Sequence, residues 1–355
     1  MTGDQSELTG GQAEPTADEA GANGSAPADE SGKADKTDKA ADETPSAQPV
    51  AAQPADPAAP ASAKRTPAAM VRGVVRTARP KQWVKNVLVL AVPFLAAKIN
   101  HPDVLRAAVI AFIAFCLAAS AIYLINDAKD VEADRAHPTK RNRPIAAGIV
   151  PVPVALAVAV VLLLGGLGVS FADNWQLAVV IAVYEAVQLG YCFGWKHQPV
   201  IDLCIVASGF LLRSIAGGVA ASLPMSEWFL LVTAFGSLFM VSGKRYAEIR
   251  LFEETGAEIR ASLRNYSASY LRFVWATSVA VMITTYGLWA FQIHQQSNSV
   301  WSIISMVPFV VAVLRYAVDV DRGKAGAPDE IVLRDRVLQV LGLAWVLTLA
   351  ASFYF

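Results

Sequence analysis

Residues 104–148 read VLRAAVIAFIAFCLAASAIYLI and then, without a break, NDAKDVEADRAHPTKRNRPIAAG. The first 22 residues carry one charge, Arg106, and about 20 apolar residues are enough for a helix to cross a hydrocarbon layer of about 30 Å. The next 23 carry four acidic and five basic side chains. Lipid offers no partner to an exposed backbone amide, so a chain built from such apolar runs is expected to be all-α. So much charge at the mouth of a membrane helix requires a partner. Acids followed by bases suit a phosphate-rich substrate held through a divalent metal.

The rest of the chain separates into two compositions. Of its 355 residues 54% are hydrophobic and 17% charged, yet residues 1–63 hold almost no large apolar side chain, with 12 acidic and 3 basic residues among Ala, Pro, Ser, Gly and Thr. Such a segment buries too little surface to offset its ordering entropy. Residues 1–68 are therefore expected to be a disordered acidic tail, and residues 69–355 the membrane domain. The formal net charge of zero conceals −9 on the tail and +9 on the remainder. The basic part opens with Lys64, Arg65, Arg72, Arg76, Arg79, Lys81 and Lys85, a cluster suited to anionic lipid head groups or an anionic substrate. No apolar core follows Met1, so a cleavable signal peptide is not expected. Cys116, Cys192 and Cys204 sit in apolar runs without metal-like spacing and read as packing residues.

Nine apolar blocks are expected to span, at about 82–100, 104–125, 147–171, 175–194, 200–221, 227–243, 270–293, 299–316 and 334–354. With the N-terminus inside, the inner loops carry Lys129, Arg135, Lys140, Arg141, Arg143, Lys196, Lys244, Arg245, Arg250, Arg260, Arg264, Arg322 and Lys324, whereas the outer loops carry little beyond Lys98 and Arg106. The positive-inside rule then predicts a cytoplasmic N-terminus, an external C-terminus and a cavity between the spans that faces the cytoplasm.

Asn126, Asp130 and Asp134 are spaced i, i+4, i+8, and Asp127 lies three residues before Asp130. On a continuing helix the four share one side. Carboxylates gathered at a lipid boundary are best explained by a hard cation, and Mg²⁺ typically takes one or two of them while substrate phosphates and water complete its shell. The bland alternative is a solvated acidic end paired with Arg135 and Lys129. Lys81 and Lys85, like Gln82 and Asn86, are i, i+4 and present two ammonium groups and two amides on the first span. A plain topological anchor is the competing reading for them, and Trp83 reads as an interfacial residue. Glu185, Asp202 and Arg213 lie within spans, where charge costs several kcal/mol. An ion pair of Arg213 with Glu185 on the preceding antiparallel span is expected, and a place in the cavity for Asp202. His137 reads as a solvated loop residue. Gly165, Gly166, Gly209, Gly217 and Gly218 are expected to permit close helix approach.

The run from Asn126 to Gly148 resembles the first aspartate-rich motif of the UbiA superfamily of intramembrane prenyltransferases, Asn-Asp-x-x-Asp-x-x-x-Asp followed by Arg-Pro and Gly. Four further stretches are similar to the phosphoribosyltransferase branch of that superfamily: residues 79–86 (RPKQWVKN), Asp202 to Gly218, residues 243–248 (GKRYAE) and residues 333–336 (LRDR). The resemblance covers about residues 70–355. It implies a UbiA-type bundle in a bacterial inner membrane and transfer of 5-phosphoribose from phosphoribosyl pyrophosphate to decaprenyl or another polyprenyl phosphate, releasing pyrophosphate, with the product serving cell-wall arabinan. Asp127, Asp130 and Asp134 would be catalytic and, with Asn126, hold Mg²⁺, for which Mn²⁺ is a substitute. Lys81, Gln82, Lys85, Asn86, Asn126, Lys140, Arg141, Arg143, Asp202, Lys244, Arg245, Tyr246 and Glu248 would bind substrate.

The aromatic prenyltransferases of the superfamily carry a second aspartate-rich motif after the sixth span. Here that loop offers Lys244, Arg245, Tyr246 and Glu248, and no Asp lies between Asp202 and Asp319. More bases and fewer carboxylates suit the extra phosphate of phosphoribosyl pyrophosphate. Displacement of pyrophosphate by the lipid phosphate predicts inversion at ribose C1, with no strong general base. An aromatic or quinone-precursor prenyltransferase and a membrane transporter are the rival readings. No nucleic-acid partner is expected, and homo-oligomerisation stays open.

Overall fold

The computed structural model describes residues 66–256, 263, 265–323, 331 and 334–354. Residues 1–65, with Lys64 and Arg65, lie outside the described residues, as do Arg260, Arg264, Lys324 and Leu333. Helix α1 (Pro67–Ala78) begins at an N-cap, Thr66, whose Oγ1 accepts the Ala69 N–H at 3.2 Å, with Pro67 as the first helical residue. It ends at Arg79, a non-glycine residue in the left-handed region (φ 55°). A 3-10 helix (Pro80–Leu90) and the short α2 (Ala91–Leu95) follow. Then come α3 (Pro102–Lys129), α4 (Val131–Ala136), α5 (Val152–Asp173), α6 (Trp175–Cys192), α7 (Ile201–Ala220), α8 (Glu227–Thr255), α9 (Ala268–Ser297), α10 (Trp301–Ile304), α11 (Met306–Asp321) and α12 (Arg336–Tyr354).

Seven helices among the described residues, not nine, are long and apolar enough to cross a membrane. The two exceptions have separate causes. Residues 82–100 do not form one helix: the 3-10 segment passes into five residues of α-helix, and Ala97 (φ 53°) closes it. Helix α8 is 29 residues long, but Lys244, Arg245, Glu248 and Arg250 occupy its second half, so its apolar part is short.

Besides a buried cluster that joins the charged end of α3 to α5 through Ile122, Ile125, Ala155 and Ala159, packing is organised in two cores. Helix α3 lines one core with small residues, Ala107, Ala111, Ala114 and Ala118, around Phe115, against Leu177, Ile181 and Tyr184 of α6 and Ala216 of α7. The other joins α8, α9, α11 and α12 around Tyr286, whose ring stacks on Phe309 with centroids 3.9 Å apart and whose hydroxyl meets Ser305 at 2.7 Å and accepts from Trp345 Nε1 at 2.8 Å. Outward, α5 shows Val160, Val161, Leu164 and Phe171, and α12 shows Val340, Leu343 and Leu347, apolar faces suited to lipid. Cys116 and Cys192 are buried as expected, whereas Cys204 is exposed and is not a packing residue.

The 3-10 helix has three residues per turn, so side chains at i and i+3 eclipse. Asn86 and Val89 are therefore both buried on the inward face, and Trp83, one turn earlier and partly exposed, turns its indole N–H to the same side. Trp83 Nε1 donates to Ser120 Oγ at 3.1 Å, Asn86 Nδ2 to Cys116 Sγ at 3.2 Å, and Val89 lies against Gly217 of α7. A Cβ at Gly217 would stand 1.8 Å from the Val89 carbonyl oxygen. Gly218 is similarly tight, 2.6 Å from Met225 Sδ, but Gly165 has no atom nearer than 3.7 Å and is not needed for close approach. Gly217→Ala is expected to lower the melting temperature in detergent and release the 3-10 helix. Gly165→Ala, which gains helix propensity of about 1 kcal/mol without a clash, is expected to be neutral or stabilising, and equal effects would contradict this packing.

Candidate active site

Helix α3 delivers the first acidic residues to one end of the bundle and then stops. Asp130 (φ −91°, ψ 13°) leaves the helical region while its N–H still reaches the Asn126 carbonyl at 2.9 Å, and α4 restarts at Val131. The continuing helix that the i, i+4, i+8 spacing anticipates is interrupted, and the four side chains separate. Asp127 and Asp134 are buried at 2% and 3% exposure and converge on one cation. Arg143 Nη1 lies 3.1 Å from Asp127 Oδ1 and 2.7 Å from Asp134 Oδ2. Asp130 turns instead to Lys196, 2.6 Å from its Nζ. Asn126 is half-buried, its Oδ1 3.9 Å from Cys192 Sγ.

Asp127 takes a second cation from the other side. Arg79 Nη2 donates to Asp127 Oδ1 at 2.8 Å, and its guanidinium lies 4.7 Å from the centre of the Tyr123 ring. The left-handed backbone of Arg79 costs about 1–3 kcal/mol, and these two contacts, with the bond from Ser120 Oγ to the Ala78 carbonyl at 3.1 Å, hold it. Arg143 precedes Pro144 and is extended (φ −67°, ψ 143°), as the proline ring requires. That conformation brings the 139–144 turn against α1. His137 caps the turn, its Nδ1 accepting the Thr139 and Lys140 N–H groups at 3.2 and 3.3 Å. Between turn and helix lies an open cavity of about 280 Å³ lined by Arg76, Thr77, Arg79, Asp127, Lys140 and Arg143, among others.

A second polar cluster forms on α7, α8 and the approach to α9. Asp202, 1% exposed, accepts a hydrogen bond from Tyr266 Oη and lies 3.4 Å from Arg245 Nη2. Arg245 Nη1 reaches Glu248 at 3.8 Å, and Tyr266 Oη also accepts the Val200 N–H at 2.6 Å. Burial first, and then the bond to the Asp202 carboxylate, push the Tyr266 phenol above its ordinary value. It stays protonated and donates. Tyr246 is buried edge-on against Trp275, and Lys244 is half-buried.

Of the residues expected to bind substrate, Lys140 and Arg143 line the cavity with Asp127. Arg141, Lys81 and Lys85 are exposed and Gln82 is half-buried. The three-residue period turns Asn86 away from Gln82 and into the bundle, where its Oδ1 accepts from Arg213 Nε at 2.7 Å. Arg213 does not pair with Glu185. Its Nη1 and Nη2 donate to the Gly209 carbonyl (2.5 Å) and Tyr184 Oη (3.2 Å), and its guanidinium lies 5.1 to 5.9 Å from the rings of Tyr184, Phe115 and Phe210. Tyr184 faces α7, so Glu185, one residue and about 100° further round α6, faces Gly166 instead. Glu185 Oε1 is buried without a hydrogen-bond partner among the described residues. Sequence reasoning missed Arg76, Thr77, Arg79, Lys196 and Tyr266. Arg79 stood in the basic cluster and in the stretch before the first span, but only its backbone turn aims it at Asp127.

No three His, Cys, Asp or Glu side chains among the described residues are gathered closely enough to hold an ion by themselves. The donor set nevertheless suits a hard cation held partly by substrate. Asp127 and Asp134 already share one positively charged atom, and Mg²⁺ commonly takes only one or two carboxylates with phosphate and water for the rest.

The sequence pattern of the UbiA prenyltransferase family matches residues 87–353. The chain is 57% identical over 298 residues to the decaprenyl-phosphate phosphoribosyltransferase of Corynebacterium glutamicum, covering 82% of this chain and 90% of that protein. It is 56% identical over 301 residues to the protein of the same name from Mycolicibacterium smegmatis, covering 81% and 95%. Among solved structures, a UbiA homolog from Archaeoglobus fulgidus bound to GPP and Mg²⁺ superimposes with a TM-score of 0.61 at 17% identity, covering 79% of this chain and 98% of that one. That likeness shows the fold.

The Tyr266–Asp202 bond predicts an alkaline limit. A phenol whose value is raised by folding contributes its stability fully below the unfolded value of about 10 and loses it as pH rises through the folded value. Melting temperatures measured from pH 8 to 11 are expected to fall more steeply above about pH 10 in the unmodified protein than in Tyr266→Phe. Parallel curves would refute the assignment of this proton.

Proposed function

The chain belongs to the UbiA prenyltransferase family, and on that premise we propose that it is a decaprenyl-phosphate phosphoribosyltransferase, moving 5-phosphoribose from phosphoribosyl pyrophosphate to the phosphate of decaprenyl phosphate. The observation that carries this reading is identity of 57% along 90% of a relative so named. An arginine-rich cavity around buried carboxylates supports it, because the donor is a polyanion. The protein is a multi-pass membrane protein. The gathering of Lys140, Arg143, Lys196 and Arg245 at the cavity end supports a cytoplasmic active site and N-terminus, by the positive-inside rule.

In this reading Asp127 and Asp134 would hold the metal, and Asn126 and Asp130, which face Cys192 and Lys196 in this structure, would be its further ligands. A divalent cation supplies positive charge that eases departure of pyrophosphate. Arg79, Lys140 and Arg143 receive the phosphates, the arginines through their paired N–H donors. The bond from ribose C1 to the pyrophosphate oxygen breaks, and a lipid phosphate oxygen forms the new bond to C1 from the opposite face. Pyrophosphate leaves, C1 inverts, and the acceptor is already an anion, so no side chain has to remove a proton. Lys244, Arg245, Tyr246 and Glu248 are not among the residues that line the cavity; with Asp202 and Tyr266 they would supply a second polar cluster for the substrate. Lys81, Gln82 and Lys85 lie on the 3-10 helix at the membrane boundary, where the lipid phosphate enters, and Arg141 adds charge at the rim.

Purified protein in detergent, supplied with labelled phosphoribosyl pyrophosphate, decaprenyl phosphate and Mg²⁺, is expected to form a chloroform-soluble labelled product that a chelator abolishes. Asp127→Asn and Asp134→Asn are each expected to lower kcat at least about 100-fold, the scale of losing a preorganised electrostatic contact. Asp130→Asn, which removes the carboxylate paired with Lys196, is expected to cost about 10-fold. Prenyl transfer from a prenyl diphosphate to an aromatic acid, with no phosphoribosyl lipid formed, would overturn the reading.

A further inference from the structure

At the other end of the bundle, about 30 Å from Asp202 along the 20 residues of α7, lies a larger cavity of about 490 Å³. The short α2 and the loop after it, the 221–226 loop, and the C-terminal ends of α9 and α12 enclose it. Its wall is apolar, with Phe229, Trp289 and Phe353, and its rim carries Lys98. Two side-chain atoms of lining residues, Ser226 Oγ and Gln292 Oε1, are buried without a hydrogen-bond partner among the described residues. Leaving such an atom unmatched typically costs about 1–3 kcal/mol. Lys98 is exposed and has no carboxylate at ion-pair distance among the described residues. The other outer-loop cation, Arg106, is paired with Asp173 at 3.3 Å.

Backbone strain borders the same cavity. Ala97 (φ 53°) and Ser222 (φ 51°), two of the non-glycine residues with positive φ, stand in its two loops. Such conformations persist where the surroundings over-determine them, as they do at ligand clamps. The depth is informative as well. Helix α3 starts here at Pro102, and α7 and α9 end here at Ala220 and Ser297, so the cavity sits at the level of lipid head groups.

We infer that this cavity binds an anionic phospholipid of the opposite leaflet with a hydroxylated head group, of the phosphatidylglycerol type. Its phosphate pairs with Lys98, a head-group hydroxyl donates to Gln292 Oε1, another reaches Ser226 Oγ, and an acyl chain covers Phe229, Trp289 and Phe353. A choline head group has no proton to give Gln292 and carries a cation towards Lys98, so the site discriminates against it. The inference is independent of the reaction proposed above.

The test is lipid-dependent stability of the full chain in detergent, with native mass spectrometry of the same samples. Phosphatidylglycerol at about 100 times its dissociation constant is expected to raise the melting temperature by about 5 °C or more and to remain bound in the mass spectrum. Phosphatidylcholine and inorganic phosphate are expected to do neither. Lys98→Gln, at an exposed position, is expected to keep the lipid-free melting temperature and lose most of the shift, and Gln292→Met to lose part of it. Equal stabilisation by phosphatidylcholine or by inorganic phosphate, or an undiminished shift in Lys98→Gln, would overturn the site.

Discussion

A carboxylate at the end of a membrane helix has to be charge-matched or hydrated, and Asp127 is almost wholly excluded from solvent. Much of this end of the bundle is arranged around that requirement. Arg79 approaches from the turn between α1 and the 3-10 helix, and Arg143 from the turn before α5. Arg143 extends the pairing to Asp134. Two irregular segments are thereby fastened to the end of α3, the helix with the most deeply buried small-residue face. Asp127 keeps one cation when either arginine is lost, but loss of Arg143 also strips Asp134, a buried carboxylate, of its ion-pair partner and is the removal that carries the desolvation cost.

The 3-10 helix is the structural counterpart of that pairing. Irregular backbone is tolerated at membrane depth only where protein covers it, and here Ser120, Cys116 and Gly217 provide the cover. The three-residue period explains why Trp83, Asn86 and Val89 act together. It also ties the cavity to the middle of the bundle, since Asn86 accepts from Arg213. Arg213 has no carboxylate bonded to it among the described residues. Its charge is met by a carbonyl, an amide oxygen, a phenol and three aromatic faces, a combination of cation–π and hydrogen-bond contacts that strengthens in a low-dielectric interior.

The two ends of the bundle differ in character. One gathers carboxylates and arginines around an open polar cavity, and the other combines an apolar wall with a single ammonium group and two unmatched polar atoms. The first suits a soluble polyanion and the second an amphiphile. Both ends are bordered by non-glycine residues in the left-handed region, Arg79 at the one and Ala97 and Ser222 at the other.

The sequence alone determined the features that depend on composition and on nearest neighbours along the chain. Apolar run length predicted an all-α membrane protein, and the acid-then-base order after Ile125 located the charged end and the family. It overcounted the spans because length and hydropathy do not reveal that residues 82–90 coil with a three-residue period before a short α-helix that Ala97 closes, or that the charged second half of α8 leaves its apolar part short. Spacing grouped Asn126, Asp127, Asp130 and Asp134 on the assumption of an unbroken helix, and the interruption at Asp130 divided them between Arg143 and Lys196. Antiparallel helices bring Glu185 and Arg213 to similar depth, but a rotation of about 100° per residue gave that neighbour to Tyr184. Ion-pair partners far apart in the chain, such as Arg79 with Asp127 and Arg245 with Asp202, were decided only by tertiary structure. Which charge meets which depends on helix rotation and on the backbone turn that aims each side chain, and neither is encoded in the identity of the residue itself.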